Sequence, residues 1–244
     1  MRHTIPLARG LRFMAGLCAA LMVSLAMAAG AAVPEGWWNA LTRDDAGAVQ
    51  TMLLRHADAN AKDPTGLPSL MFAIRNKSWK AYDMLLHAPG IQIDAANRLD
   101  ETPLMYLCVL GETKRAEALI EAGAQVNRLG WTPLHYAASR AHPDTVRMLL
   151  DHGAIVNAPG PDGTTPLMMA ALSGDEDTVR LLLEHGADST MFNLKHQTAA
   201  DWARESKHTR LAAKLDALAA EVRGRRAGKD TTAPQVPAAE APKA

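Results

Sequence analysis

Residues 130 to 138 read GWTPLHYAA, and residues 163 to 171 read GTTPLMMAA. The echo belongs to a longer register. The leucines that follow the T-P pairs, Leu104, Leu134 and Leu167, lie 30 and 33 residues apart, and Leu70 in LPSLMFAI lies 34 before the first. A second landmark keeps step: Ile120-Glu121-Ala122-Gly123-Ala124, Leu150-Asp151-His152-Gly153-Ala154 and Leu183-Glu184-His185-Gly186-Ala187 each begin 16 residues after their leucine. Two landmarks in step define a supersecondary unit that cannot bury its apolar face alone and must stack on its neighbours.

Each letter of the unit has a physical role. Thr132 is placed to cap a helix, and Pro133 follows at the first helical position, where its missing N–H costs nothing. Thr102-Pro103 and Thr165-Pro166 repeat the device. Leu134, Ala137 and Ala138 share one face of a short helix, and the alanines let neighbouring helices approach closely. A second helix, DTVRMLLDHG, turns Val146, Leu149 and Leu150 inward and stops at Gly153; DTVRLLLEHG stops likewise at Gly186. Aromatic residues are 5% of the chain against 48% hydrophobic overall, which favours small-residue helix packing over a β-sandwich or barrel. The expected class is all-α.

The copy WTPLHYAASRAHPDTVRMLLDHGAIVN carries nearly every signature position of the ankyrin repeat, and the chain resembles that family over residues 35–218. The resemblance implies a solenoid of stacked helix-turn-helix units joined by short β-hairpin fingers. Six units are read: a degenerate first around WWNALTRDDAGAVQTMLLRHADAN, four opening at Leu67, Glu101, Trp131 and Thr164, and a truncated last at TAADWARESKHTRLAAKLDAL. The outer two depart from consensus as caps do. VNRLGWTPL is three residues short of the register, so its finger should be stunted; Pro89-Gly90 inserts one residue at a helix end, and His56 stands where other units have glycine.

Residues 1–31 read as a signal peptide. Arg2, Arg9 and Arg12 precede a run without charge from Phe13 to Pro34, and Ala26-Met27-Ala28 and Ala29-Gly30-Ala31 both fit an A-x-A cleavage site. Cleavage places the mature chain in the periplasm; the alternative is an uncleaved inner-membrane anchor facing the periplasm. Loss of those arginines turns a balanced 26 against 26 into 23 basic and 26 acidic residues, with no field toward nucleic acid, and leaves Cys108 as the sole thiol, a small buried hydrophobe in LMYLCVL. Residues 219–244, with Arg223, Arg225 and Arg226 followed by an Ala/Pro-rich stretch, read as a disordered tail.

No nucleophile elbow, Walker loop, H-E-x-x-H or cysteine pair is present, so no enzyme, metal or cofactor is expected. His135 reads as a structural residue bonding neighbouring loops, and His152 and His185 as partners of helix C-termini. Asp44-Asp45 and Asp175-Glu176-Asp177 sit where second helices begin. What remains is surface. In the ankyrin family contacts fall just before T-P and just after A-A, which the resemblance carries to Glu101, Trp131 and Thr164 before the helix, and to Ser139, Arg140 and Leu172 after it, with Arg98, Arg128 and Asp162 near the fingers. Arg75, Asn76, Val109, Leu110 and Ser173 occupy like positions. Trp131 either presents a hot spot to a partner or packs against the shortened finger. The expected function is a monomeric, non-catalytic protein-binding module, which exported relatives link to stress protection. The alternatives are an inhibitor or immunity protein against a toxin, and a metal- or haem-handling accessory of an antioxidant enzyme.

Overall fold

A computed structural model describes residues 33–230; the signal-peptide reading and residues 231–244 lie outside the described residues. Six helix pairs follow one another: α1 (Trp37–Thr42) with α2 (Ala46–Leu54), α3 (Ser69–Arg75) with α4 (Trp79–Leu86), α5 (Pro103–Leu110) with α6 (Thr113–Glu121), α7 (Pro133–Ser139) with α8 (Pro143–Asp151), α9 (Pro166–Ser173) with α10 (Glu176–Glu184), and α11 (Ala199–Glu205) with α12 (Thr209–Asp230). The first member of each pair packs on its counterpart in the next, and the second members form an outer layer. This is the all-α solenoid that the register implies.

Most of these helices are two turns long, too short to persist alone in water. Stacking holds them. Inner helices are sandwiched between neighbours and are apolar nearly all round: Leu104, Met105, Leu107 and Cys108 of α5 are all buried. Outer helices have one inward stripe; in α8 Val146 and Leu149 are buried, Leu150 half-buried, and Arg147 and Asp151 face water. The result is one continuous core from Trp37 to Leu215. At its first end the Trp37 indole N–H donates to Ser69 Oγ at 3.0 Å, tying the cap to the second unit.

The cap letters act largely as read. Thr102 and Thr165 accept from the backbone N–H of Met105 and Met168 at 3.4 and 3.3 Å. At Thr132 the hydroxyl instead meets the ring of His135 at 2.9 Å. Asp45 caps α2 and Asp175 caps α10, each accepting at 2.9 Å from the N–H three residues on. Consecutive units are laced by a column of amides that the register does not advertise: Asn60, Asn127 and Asn157 each donate to a helix-ending glycine carbonyl of the next unit and accept from a backbone N–H just beyond it.

The fingers hold no β-ladder among the described residues. Among the described residues the bridges are the isolated pairs Lys62–Pro68 and Phe192–Thr198, because the fingers are tight loops closed by few backbone bonds. Asp63, Asn97, Gly160 and Asn193 donate to the carbonyls of Leu67, Glu101, Thr164 and Gln197 at 2.7–3.0 Å. The stunted finger before α7, three residues shorter, has no such bond among those described, and the side chain of its Asn127 serves the inter-unit column.

The C-terminal boundary differs from expectation. Helix α12 runs on to Asp230, so disorder does not begin at 219. Ala219 is buried, and Arg226 reaches back to Asp188 Oδ2 and Thr190 Oγ1 at 2.8 and 2.9 Å, which ties the helix extension to the fifth unit. Among the described residues no helix is long and apolar enough to cross a membrane.

Candidate functional site

The inner helices leave a groove of about 410 Å³ on the concave side, centred on units three and four. Its walls are Tyr106, Val109 and Leu110 from α5, Trp131, Tyr136 and Ser139 on and before α7, and Met169 from α9; Arg75, Glu101 and Arg140 supply charge. The two tyrosines occupy the same place in their units, two residues after the T-P leucine. A step of two turns a side chain about 200° from the buried leucine on a helix with 3.6 residues per turn, so this position must face out of the stack. Phe72 and Met169 take it in the flanking units, and all four are half-buried.

Glu101 is the polar centre. Its Oε1 accepts from the Tyr136 hydroxyl at 3.0 Å and its Oε2 from the Asn97 amide at 2.7 Å. Burial first, and the adjacent Glu101 carboxylate second, push the hydroxyls of Tyr106 and Tyr136 above the ordinary tyrosine value of 10.0. The floor is His135, fully buried, with Nε2 donating to the Thr164 carbonyl at 3.0 Å and Nδ1 facing the Thr132 N–H at 3.2 Å. Burial holds it below the usual histidine value, so the ring is neutral and structural. Trp131 meets it edge-on, with ring centroids 5.2 Å apart, and lies over Gly160. It therefore packs against the neighbouring finger with one edge and walls the groove with another.

The structure brings Glu101, Trp131, Ser139 and Arg140 together in the groove. Arg140 is exposed, just past the end of α7, and among the described residues no hydrogen bond or ion pair engages its guanidinium. Arg98 and Arg128 are taken up by fingers instead: Arg98 donates to the Pro64 carbonyl at 3.2 Å, and Arg128 pairs with the carboxylate and carbonyl of Asp100. Asp162 bonds within its own loop, to the Thr164 N–H at 3.1 Å. Leu172 is exposed on the concave side of the next unit, outside the groove lining.

Thr164 is a correction. It is completely buried and offers no surface. Its carbonyl accepts from both His135 Nε2 and the Gly160 N–H, at 3.0 and 2.7 Å, and this pins the residue beneath the finger. Tyr106 and Tyr136 were absent from the expected set, although the two-residue step from the repeat leucine is visible in sequence.

Cys108 is fully buried and its thiol is raised by desolvation, and among the described residues no group of three or more His, Cys, Asp or Glu is placed to hold a metal. His185 Nδ1 bonds the Leu181 carbonyl at 2.8 Å, at the end of its own helix, and His152 faces Glu117 at 3.7 Å. No curated protein matches the chain. A family model described as Ankyrin repeats (3 copies) matches over residues 70–160, 126–193 and 154–221, more than half of the sequence. Proteins built from these repeats are in general non-catalytic protein–protein interaction modules. With the repeat register, the stacked helix pairs and the matched segments in agreement, the chain belongs to the ankyrin-repeat family.

Proposed function

We propose that the protein is an exported, non-catalytic binding module that works as a monomer in the periplasm and engages another protein through the concave groove of units three and four. The observation that supports this reading is the groove itself: an aromatic-walled concavity of about 410 Å³ containing Trp131, two tyrosines and an unengaged arginine. Tryptophan, tyrosine and arginine are the side chains that most often dominate binding energy at interfaces. The mechanism is rigid display. A preformed surface built on packed helices loses little conformational entropy when a partner arrives.

The test is affinity capture from a periplasmic extract with the wild-type protein and with Trp131→Ala combined with Arg140→Ala. Partners retained by the wild type and lost by the variant support the reading; identical partner sets remove this surface from consideration. Cell fractionation with N-terminal sequencing of the mature chain tests export, and an N-terminus at Met1 in a membrane fraction would replace the periplasmic reading with the anchored one.

A further inference from the structure

The charges of the groove say what kind of segment fits it, and this inference rests on the binding role given above. Most ionic groups around the concave side are already compensated. Arg75 lies 3.7 Å from Asp63 and stacks on Phe72, and Arg128 is held by Asp100. Two charges are not. Glu101 receives only neutral donors, Tyr136 and Asn97, and no cation lies within ion-pair distance among the described residues. The guanidinium of Arg140 has no partner among them.

The fold sets these two charges at opposite ends of one groove. Glu101 precedes the first turn of α5, and Arg140 follows the last turn of α7. The two inner helices stand side by side, and at 1.5 Å per residue the seven residues of α7 and their flanks separate the ends by about 12 Å. Between them lie Tyr106, Tyr136, Trp131 and Val109. The surface reads negative, apolar, positive.

An extended chain rises about 3.3 Å per residue and turns alternate side chains to one face, so residues i, i+2 and i+4 cover about 13 Å on a single side. We propose that the groove takes an extended segment of a partner protein that presents a basic residue to Glu101, an apolar or aromatic residue to the tyrosine-tryptophan walls, and an acidic residue to Arg140, at alternate positions. The pattern is basic-x-apolar-x-acidic, or its reverse if the bound chain runs the other way.

The experiment is panning of a phage-displayed library of random peptides, about 12 residues long, on the full chain. The expected result is enrichment of that alternate pattern in one of its two directions. Enriched peptides should lose on the order of tenfold in affinity when either charge is neutralised. Glu101→Gln keeps the tyrosine contact but removes the charge, and should abolish selection at the basic position alone. Arg140→Glu lies on the surface and should convert the acidic preference to a basic one, with circular dichroism showing both variants folded. No enrichment, enrichment of uncharged peptides, or unchanged charge preferences in the variants would overturn the proposal. Loss of captured partners by the Trp131/Arg140 double variant alongside a failed panning would leave the binding role standing and remove only this account of what is bound.

Discussion

The hydroxyl of Tyr136 donates to the carboxylate of Glu101 at 3.0 Å, joining two consecutive units across the groove floor. The bond fixes both a wall and the one carboxylate that lines the groove among the described residues. It is half-buried, so water can replace part of what is lost when it is removed. Tyr136→Phe should therefore destabilise the fold by about 0.5–1.5 kcal/mol, the range for a single hydrogen bond with partial access to solvent. Urea unfolding followed by circular dichroism measures it, and an unchanged midpoint would show that the bond positions Glu101 without holding the units together.

The solenoid is legible in the sequence because its determinants repeat. Leu104, Leu134 and Leu167 and the helix-ending Gly123, Gly153 and Gly186 do the same job in each unit, and repetition exposes them. The groove is only half legible. Tyr106 and Tyr136 share a position with Phe72 and Met169, and a position that varies gives no signal until it is placed on a helix face. Thr164 misleads for the opposite reason: it stands in register with the half-buried Glu101 and Trp131, yet its carbonyl accepts from His135 Nε2, a bond that Met71 and Met105 at the same place in earlier units cannot supply. The extension of α12 is accompanied by Arg226 meeting Asp188, 38 residues away, and local composition does not carry such a contact.

The bend between inner and outer helices requires a left-handed residue, with φ of 77° at Gly174 and 57° at Ala141. At Gly174 there is a second constraint, because the His208 ring lies where a Cβ would fall, with its nearest atom at 2.3 Å. Gly174→Ala should cost about 1–3 kcal/mol, from backbone strain together with displacement of that ring. Removing the ring as well, in Gly174→Ala with His208→Ala, should recover part of the loss relative to the sum of the single changes. Ala141→Gly relieves the same backbone strain and should be neutral to stabilising by up to about 1 kcal/mol, offset by the greater freedom of the unfolded chain. A raised unfolding midpoint in Gly174→Ala, or a clearly lowered one in Ala141→Gly, would refute this account of the bend.

His135 makes stability depend on acid. Its Nε2 donates to Thr164 and its Nδ1 faces an N–H, so a protonated ring would set two donors against each other in a site without solvent. Burial lowers its folded value below 6.5, with Asp162 acting weakly in the other direction. The unfolded chain then binds the proton first. The contribution is complete above about pH 6.5 and is lost as pH falls toward the folded value. His135→Gln retains a donor for Thr164 without a titrating group. Denaturation at about pH 7.5 and about pH 5.5 should show the wild type losing more stability than this variant, and parallel losses would place the titration elsewhere.

Arg226 ties the end of the described helix back to the fifth unit. From residue 220 to residue 227 no side chain of the helix is buried. Arg225 adds a loose pair with Glu221 at 3.9 Å, whereas Arg226 links the helix to two side chains of another unit. Such an exposed contact contributes little to global stability, on the order of 0.5 kcal/mol. Its effect should be local. In Arg226→Ala the unfolding midpoint should move little, while amide hydrogen exchange from about residue 219 onward should quicken, because fraying at a helix end is opposed only by contacts within the same turns. Equal exchange in the two proteins would mean that the helix extension persists through its backbone alone, and that the Arg226 contact follows from the extension rather than causing it.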